Sequence, residues 1–136
     1  MSDSEQAVVR ALFDAFARRD VDAALELFDP EGEFWPEGTA EHVHRTAPYR
    51  GHDGLRQYFA DVAAVWDELR VEPTDFRTAG AGVVAFGTAH GLVGGERLEQ
   101  PVIWVFKLRE GRVVFGRVVG TAAEAEATAA QAPGTV

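Results

Sequence analysis

Apolar residues near the start of the chain recur at the spacing of a helix. Val8, Leu12 and Ala15 fall four and three residues apart, and a second apolar row lies beside them. This pattern predicts a helix from about residue 4 to residue 19 with a wide apolar face that packs on a core. The same reasoning predicts helices at 21–27, from Asp53 to about Trp66, and at 122–130. Asp20 and Asp53 are plausible N-terminal caps of the first two of these helices.

From residue 69 the apolar period changes to two, which is typical of strands. Turns that contain glycine separate four such segments, so the pattern predicts an antiparallel meander. A short strand is expected earlier, at 31–36, whereas residues 37–50 lack a regular pattern. Helices followed by a meander indicate an α+β architecture. The four late strands are predicted at about 69–79, 82–93, 97–109 and 112–120.

The predicted strands have one bulky face and one face of small residues. In the second late strand, Phe86 and His90 alternate with Ala85 and Gly91. We expect the bulky face to meet the helices, and the same alternation places Arg117 on that inner face. The flat apolar face predicts a homodimer packed sheet to sheet, although small residues could instead simply permit strong coiling of the sheet.

Composition narrows the class of protein. The 136 residues fit a single domain, 1–136, and the absence of cysteine excludes disulfides and thiolate chemistry. A formal net charge of −9 argues against binding to nucleic acid or to an anionic membrane. The chain shows neither a spanning apolar segment nor a basic leader, so we expect a cytoplasmic protein.

Three segments resemble the SnoaL-like domains of the nuclear transport factor 2-like superfamily. They read RDVDAALELF at 19–28, YRGHDGLR at 49–56 and LREGRV at 108–113, and the resemblance covers about residues 5–130. It implies a cone-shaped α+β fold, in which N-terminal helices pack on a strongly curved, mainly antiparallel sheet around an internal pocket. Members include polyketide cyclases, ketosteroid isomerase, limonene epoxide hydrolase, dehydratases and non-catalytic binding modules, so the fold alone does not choose a function.

The residues at the late strands depart from the cyclase pattern. SnoaL-type cyclases use an acid on the last strand and a histidine on the strand before it, and here those positions carry Arg117 and Trp104. Relatives often show a tyrosine and an aspartate near the end of the last strand, where this chain has Val119 and Thr121. These departures argue against cyclase chemistry.

Two residues of the expected inner face are candidates for catalysis. A buried Arg117 would need an internal acid or an anionic ligand as partner. His90 could move a proton near neutral pH, although a histidine in this setting is often a core residue. The internal candidates for a partner of Arg117 are Glu33, Glu99 and Asp75, whereas the sequence identifies no partner for His90.

Aromatic and polar residues supply candidates for a ligand pocket, because such pockets are mainly apolar with a few placed polar groups. Tyr49 could bind a ligand or anchor the loop to the following helix. His42 and His44 could contribute metal ligands, but a pocket-rim role for His44 is the favoured interpretation, and we expect no metal and no cofactor. The predicted ligand-binding residues are Trp35, His44, Tyr49, Phe59, Trp66, Phe86, Trp104 and Phe106.

Three functions remain open at this stage. The favoured one is a pocket protein that binds a small, largely apolar molecule with a polar or anionic group. The second is an acid–base enzyme of the isomerase, cyclase, dehydratase or hydrolase type, acting on a carbonyl, hydroxy or epoxide compound through His90 and Arg117. The third is a non-catalytic dimeric module with a small or closed cavity.

Overall fold

The computed structural model describes residues 2–36, 39, 43–79 and 82–130 and confirms the α+β class. The helices are α1 (Ser2–Arg18), α2 (Val21–Leu27), α3 (Gly51–Val65) and α4 (Ala122–Ala130). The strands are β1 (Phe28–Trp35), β2 (Tyr49–Arg50), β3 (Glu68–Ala79), β4 (Gly82–Val93), β5 (Glu96–Arg109) and β6 (Arg112–Val119). Among these helices, none combines the length and apolar character needed to cross a membrane.

The six strands form a single sheet in the order β2-β1-β6-β5-β4-β3. Neighbouring strands are antiparallel except for β1 and β6, which run parallel. Helices α1, α2 and α3 pack on the inner face and enclose the main core. Helix α4 packs on the outer face, against a smaller cluster centred on Val84, Val105 and Val119.

The junction between α1 and α2 explains why two short helices form instead of one long one. Asp20 caps α2, as the sequence predicts, and its carboxylate accepts a hydrogen bond from the Ala23 amide at 3.1 Å. Just before it, Arg19 has a φ of 56°. The amides of Arg19 and Asp20 donate to the carbonyls of Phe16 and Ala15, which is the pattern of a Schellman helix end.

The predicted faces of β4 are wrong. Ala85 lies opposite Trp104 and belongs to the inner core, whereas Phe86 packs with the outer cluster. Aromatic side chains from other elements fill the space over the inner face of β4, so bulky residues of β4 do not fit there. A Cβ on Gly91 would lie 2.5 Å from the ring of Trp66, so only a very small residue fits there. The small residues therefore face the helices.

The predicted faces of β6 are wrong beyond its first residues, because the strand contains a β-bulge. Leu108 of β5 pairs with Val113, but the next residue back, Lys107, pairs with Phe115. The extra residue on β6 reverses the alternation that follows. Phe115 and Arg117 therefore lie on the outer face, and Gly116 faces the inner rings of Phe34 and Phe106.

These reversals change the surface expected at a dimer contact. The face of small residues, which the sequence suggested for that contact, is covered by the chain's own helices. The outer face instead carries α4, whose Ala125 and Ala129 are buried against it. Phe86 and Ile103 lie beside that cluster and are only partly buried.

Candidate functional site

A small cavity lies in the inner core at the junction of α1, α3, β3 and β5. Its volume is about 20 Å³, which is room for about one water-sized group. Pockets that hold larger ligands are roughly 300–1,000 Å³, so the cavity in this conformation is nearly closed. It is lined by Phe13, Phe16, Ala17, Arg19, Tyr58, Leu69, Arg70, Val71 and Trp104.

Stacked rings explain why the interior is filled. The indole of Trp104 stacks on Phe34 and on Phe106, with centroids 5.4 and 5.6 Å away. Phe13 meets the edges of Trp104 and Phe106 at 6.4 and 5.5 Å. The sequence predicted Phe59, Trp104 and Phe106 as pocket walls, and the structure brings all three into the inner core. There they contact other rings rather than surround a large pocket.

Trp104 contributes a polar atom to this apolar setting. Its side chain is only 6% exposed, and its Nε1 has no acceptor among the described residues. Leaving a buried donor unpaired costs about 1–3 kcal/mol of stability. A group that brought an acceptor into the cavity would recover that cost.

Arg19 lies at the edge of the cavity and ties α1 to β3. Its guanidinium donates to the carbonyl oxygens of Phe16 at 2.6 Å and Leu69 at 2.7 Å. Sequence reasoning missed this residue, which was assigned only to the stripe of α1. Its position was the available signal. Arg19 immediately precedes the cap Asp20, where the backbone commonly adopts a positive φ and glycine is the usual residue.

The hydroxyl of Tyr58 adds a second polar group. Burial raises the pKa of Tyr58 to about 12, although the charge of Arg19 and a hydrogen bond with Thr39 act in the opposite direction. Thr39 is itself buried, and its hydroxyl accepts a hydrogen bond from Trp66 Nε1 at 3.1 Å. Trp66, predicted to bind ligand, thus connects residue 39 to the core. Sequence reasoning placed Tyr58 only beside the apolar face of α3.

Tyr49 takes the anchoring role that was the alternative interpretation. Its ring is buried, and its hydroxyl donates to Asp61 of α3 at 2.6 Å. The guanidinium of Arg45 covers the ring at 4.0 Å. Burial, and then the hydrogen bond to Asp61, raise the pKa of Tyr49 far above its ordinary value. These contacts fix the segment before α3 on the helix.

Both tyrosines of the chain therefore predict an unusual alkaline titration. The unfolded chain releases phenol protons near pH ~10, whereas native Tyr58 holds its proton to about 12. The native state then binds more protons, so this contribution to stability is complete below pH ~10 and is lost as the pH rises through about 12. A spectrophotometric titration should show little phenolate in the native protein at pH ~10, whereas about half of the phenols should be ionised at that pH in denaturant. Native ionisation near pH ~10 would contradict the assigned burial.

A groove outside the cavity offers a route of entry. It lies between α1 and β3 and measures about 290 Å³. Phe13, Ala17 and Val71 line both the groove and the cavity. Because these residues line both spaces, the groove and the cavity are adjacent. The groove is lined by Arg10, Phe13, Asp14, Ala17, Val71, Pro73 and Phe76.

The two residues expected to do catalysis lie away from this cavity. Arg117 is exposed on the outer face, because of the bulge in β6. His90 also faces outward, and its Nε2 and Nδ1 lie 3.7 Å from carboxylate oxygens of Glu72 and Glu99. These distances exceed hydrogen-bond length. The expectation of an inner pair of His90 and Arg117 is therefore wrong in its placement.

The remaining predicted ligand residues are dispersed. Trp35 and Phe86 are partly buried on the outer face, and His44 is exposed in a turn with a φ of 56°. His42 lies outside the described residues, so the structure does not test a metal pair of His42 with His44. Within the described chain, no group of three histidine or carboxylate side chains is placed to hold a metal ion.

Comparison with solved structures shows the same fold in several proteins. An NTF2-like protein of unknown function from Burkholderia pseudomallei superposes with a TM-score of 0.76 and 24% identity, over 89% of this chain and 93% of that one. TerC, co-crystallized with polyporic acid, superposes with a TM-score of 0.76 and 23% identity, over 89% of this chain and 94% of that one. IdmH of Streptomyces antibioticus, a putative polyketide cyclase, superposes with a TM-score of 0.69 and 18% identity, over 92% of this chain and 96% of that one.

Comparison with curated proteins finds no match. Residues 9–115, however, match the family of SnoaL-like domains. This stretch includes α2, α3, β1 to β5 and the residues that line the cavity. Because it covers most of the chain, the protein belongs to the SnoaL-like domain family, as the resemblance of its motifs predicted.

Proposed function

We propose that this protein binds a small, largely apolar molecule with a hydrogen-bond-accepting or anionic group. The observation that carries the proposal is Trp104, which lines the inner cavity and whose buried indole N–H has no acceptor among the described residues. A carbonyl or carboxylate oxygen of the ligand would supply that acceptor. The surrounding rings would contact its apolar part.

Charge favours an anionic ligand over a neutral one. Arg19 and Arg70 line the cavity, and no carboxylate lies among its described lining residues. Arg70 is already paired with Glu72 at 3.0 Å, so Arg19 is the cation of this described lining that forms no ion pair and could attract an anionic group. The neighbour TerC was co-crystallized with polyporic acid, which supports a small-molecule ligand for this fold.

The experiment compares aromatic carboxylates and their methyl esters as stabilising ligands. It measures the ligand-induced rise in Tm for wild type, for Trp104→Phe, which removes the N–H and keeps a ring, and for Trp35→Phe as matched control. Loss of one hydrogen bond to a charged group, about 1.5–3 kcal/mol, should weaken acid binding by roughly 10- to 150-fold in Trp104→Phe only. Esters should bind less tightly than acids to wild type.

Two results would contradict the proposal. Equal binding of acids by Trp104→Phe and wild type would exclude the indole N–H as the recognition group. If no compound raises the Tm of any variant, the module with a closed cavity becomes the better interpretation. Each shift is compared with the Tm of the same variant without ligand, so that a change in intrinsic stability does not count as a change in binding.

An acid–base enzyme has less support. The described lining of the cavity includes neither a histidine nor a carboxylate, and Tyr58 retains its proton because its pKa is raised. His90 lies on the other face of the sheet. The position that carries the histidine in SnoaL-type cyclases is occupied by Trp104, which can donate a hydrogen bond but cannot take a proton.

Self-association and location remain proposals. A homodimer would use the outer face beside α4, where Phe86 and Ile103 are partly buried. Light scattering across a range of protein concentrations tests it, and a constant monomer mass would contradict it. Cytoplasmic location and a single domain over the whole chain also stay predictions from the sequence.

A further inference from the structure

The outer face carries a chemical group that occurs at no other side chain of the protein. The chain has twelve arginines but a single lysine, Lys107. Its Nζ is therefore the only side-chain amine in this sequence. Arginine stays protonated in proteins and is a poor nucleophile, so Lys107 is chemically distinct from every other basic side chain here.

Lys107 is buried without a partner. It is 4% exposed, although lysine is almost never buried unless it is paired. No described residue hydrogen-bonds to it or forms an ion pair with it, and its Nζ lies 4.9 Å from the centroid of the Phe115 ring. The buried polar atoms that lack partners in the described chain belong to His90 and Trp104. Nζ is not among them, so the stem is covered while the amine keeps contact with solvent.

The neighbours of Lys107 on this face do not hold its charge in place. Gly82 of β4 and Phe115 of β6 lie directly opposite it and carry no charge. The charged groups nearby on the face are Arg109, which pairs with Asp29 at 3.6 Å, and Arg117. Glu33 of β1 lies in register with Phe115 on the same face, but it is paired with Arg50 at 2.6 Å. Burial lowers the pKa of Lys107, which increases the fraction of neutral, nucleophilic amine at neutral pH.

Arg117 lies next to Lys107 in the sheet. Its register partner on β5 is Val105, two residues from Lys107, so the two cations are diagonal neighbours on the outer face. Diagonal pairs have Cα atoms about 7–8 Å apart, within reach of long side chains. Arg117 is exposed, and it forms no ion pair with any described residue. It is free to bind an anionic group at that distance.

We propose that Lys107 is a covalent binding site for small aldehydes that carry an anionic group, with Arg117 binding the anion. The neutral Nζ adds to the carbonyl carbon and forms a carbinolamine. Loss of water then gives the imine, so one C=N bond replaces the C=O bond and no oxidant or reductant is consumed. This site is on the opposite face of the sheet from the Trp104 cavity, and it does not depend on the function proposed there.

The test uses glyoxylate and the neutral aldehyde propanal, each with cyanoborohydride to trap the imine at neutral pH. Cleavage after arginine releases the peptide 98–109, which contains Lys107, and the peptide 1–10 reports the α-amino group as internal reference. We expect glyoxylate to modify Lys107 faster in the folded protein than in denaturant, because burial lowers the pKa of its amine and so increases the neutral fraction. Propanal should show a smaller acceleration.

Two variants test the roles of the amine and of the anion-binding arginine independently. Lys107→Arg keeps the positive charge and should confine the label to the amino terminus. Arg117→Gln, at an exposed position, should fold as wild type does by circular dichroism and should remove the preference for glyoxylate over propanal. Modification that is no faster in the folded protein would overturn the covalent site. An unchanged preference in Arg117→Gln would overturn the role of Arg117.

Discussion

Replacing Phe34 by alanine should be among the most damaging single changes in this protein, because its ring is fully buried in the aromatic stack. The ring stacks on Trp104 at 5.4 Å and meets Tyr58 edge-on at 4.8 Å. Truncating a buried phenylalanine costs about 3–5 kcal/mol through lost transfer energy and the cavity left behind. Equilibrium denaturation of Phe34→Ala should show that decrease in the free energy of unfolding.

The neighbouring Trp35 provides a matched control. It follows Phe34 on β1 but lies on the outer face and is only partly buried, so Trp35→Ala should cost distinctly less. Phe34→Ala should also enlarge the inner cavity beside Trp104, and an apolar ligand such as indole should then raise its Tm more than that of wild type. Equal destabilisation by the two variants would contradict the assignment of the faces of β1.

The fold was predictable because it follows from periodicity, which each segment of sequence carries by itself. The spacing of Val8, Leu12 and Ala15 predicts α1, and the four late strands fall close to their predicted bounds. Asp20 caps α2 as expected from its side chain. The third helix begins at Gly51, two residues before the cap expected at Asp53, since helix ends depend on contacts that propensity does not describe.

The candidate site was only partly predictable, because a strand pattern does not say which face turns inward. Trp104 was assigned to the inner face correctly. Arg117 was misplaced because one extra residue in β6 reverses the alternation, and nothing in its residue types marks the bulge. His90 was misplaced because bulk on β4 was taken as the sign of a core face. The small residues are inside because rings from other strands and helices occupy the space above them.

If rings from other elements crowd the inner face of β4, then Gly91→Ala should lower the stability of the protein substantially. A Cβ at this position would lie 2.5 Å from the ring of Trp66, closer than any ordinary contact. The indole would have to move, and its hydrogen bond to Thr39 would be strained or lost. Overpacking of this kind costs about 1–3 kcal/mol, which equilibrium denaturation would detect.

Two further measurements show whether Gly91→Ala destabilises the protein by crowding the indole or simply because a glycine is lost. They are a matched glycine substitution elsewhere and a double mutant. At Gly120 the nearest atom to an added Cβ is the Glu124 carboxylate at 3.6 Å, an ordinary contact, so Gly120→Ala should be neutral or stabilising by up to about 1 kcal/mol. If crowding against the indole is the cause, Trp66→Leu should make room, and the double mutant should cost less than the sum of the two single changes. Additive costs would mean that Gly91 is required for its backbone instead, and the reason given for the inverted faces of β4 would then be wrong.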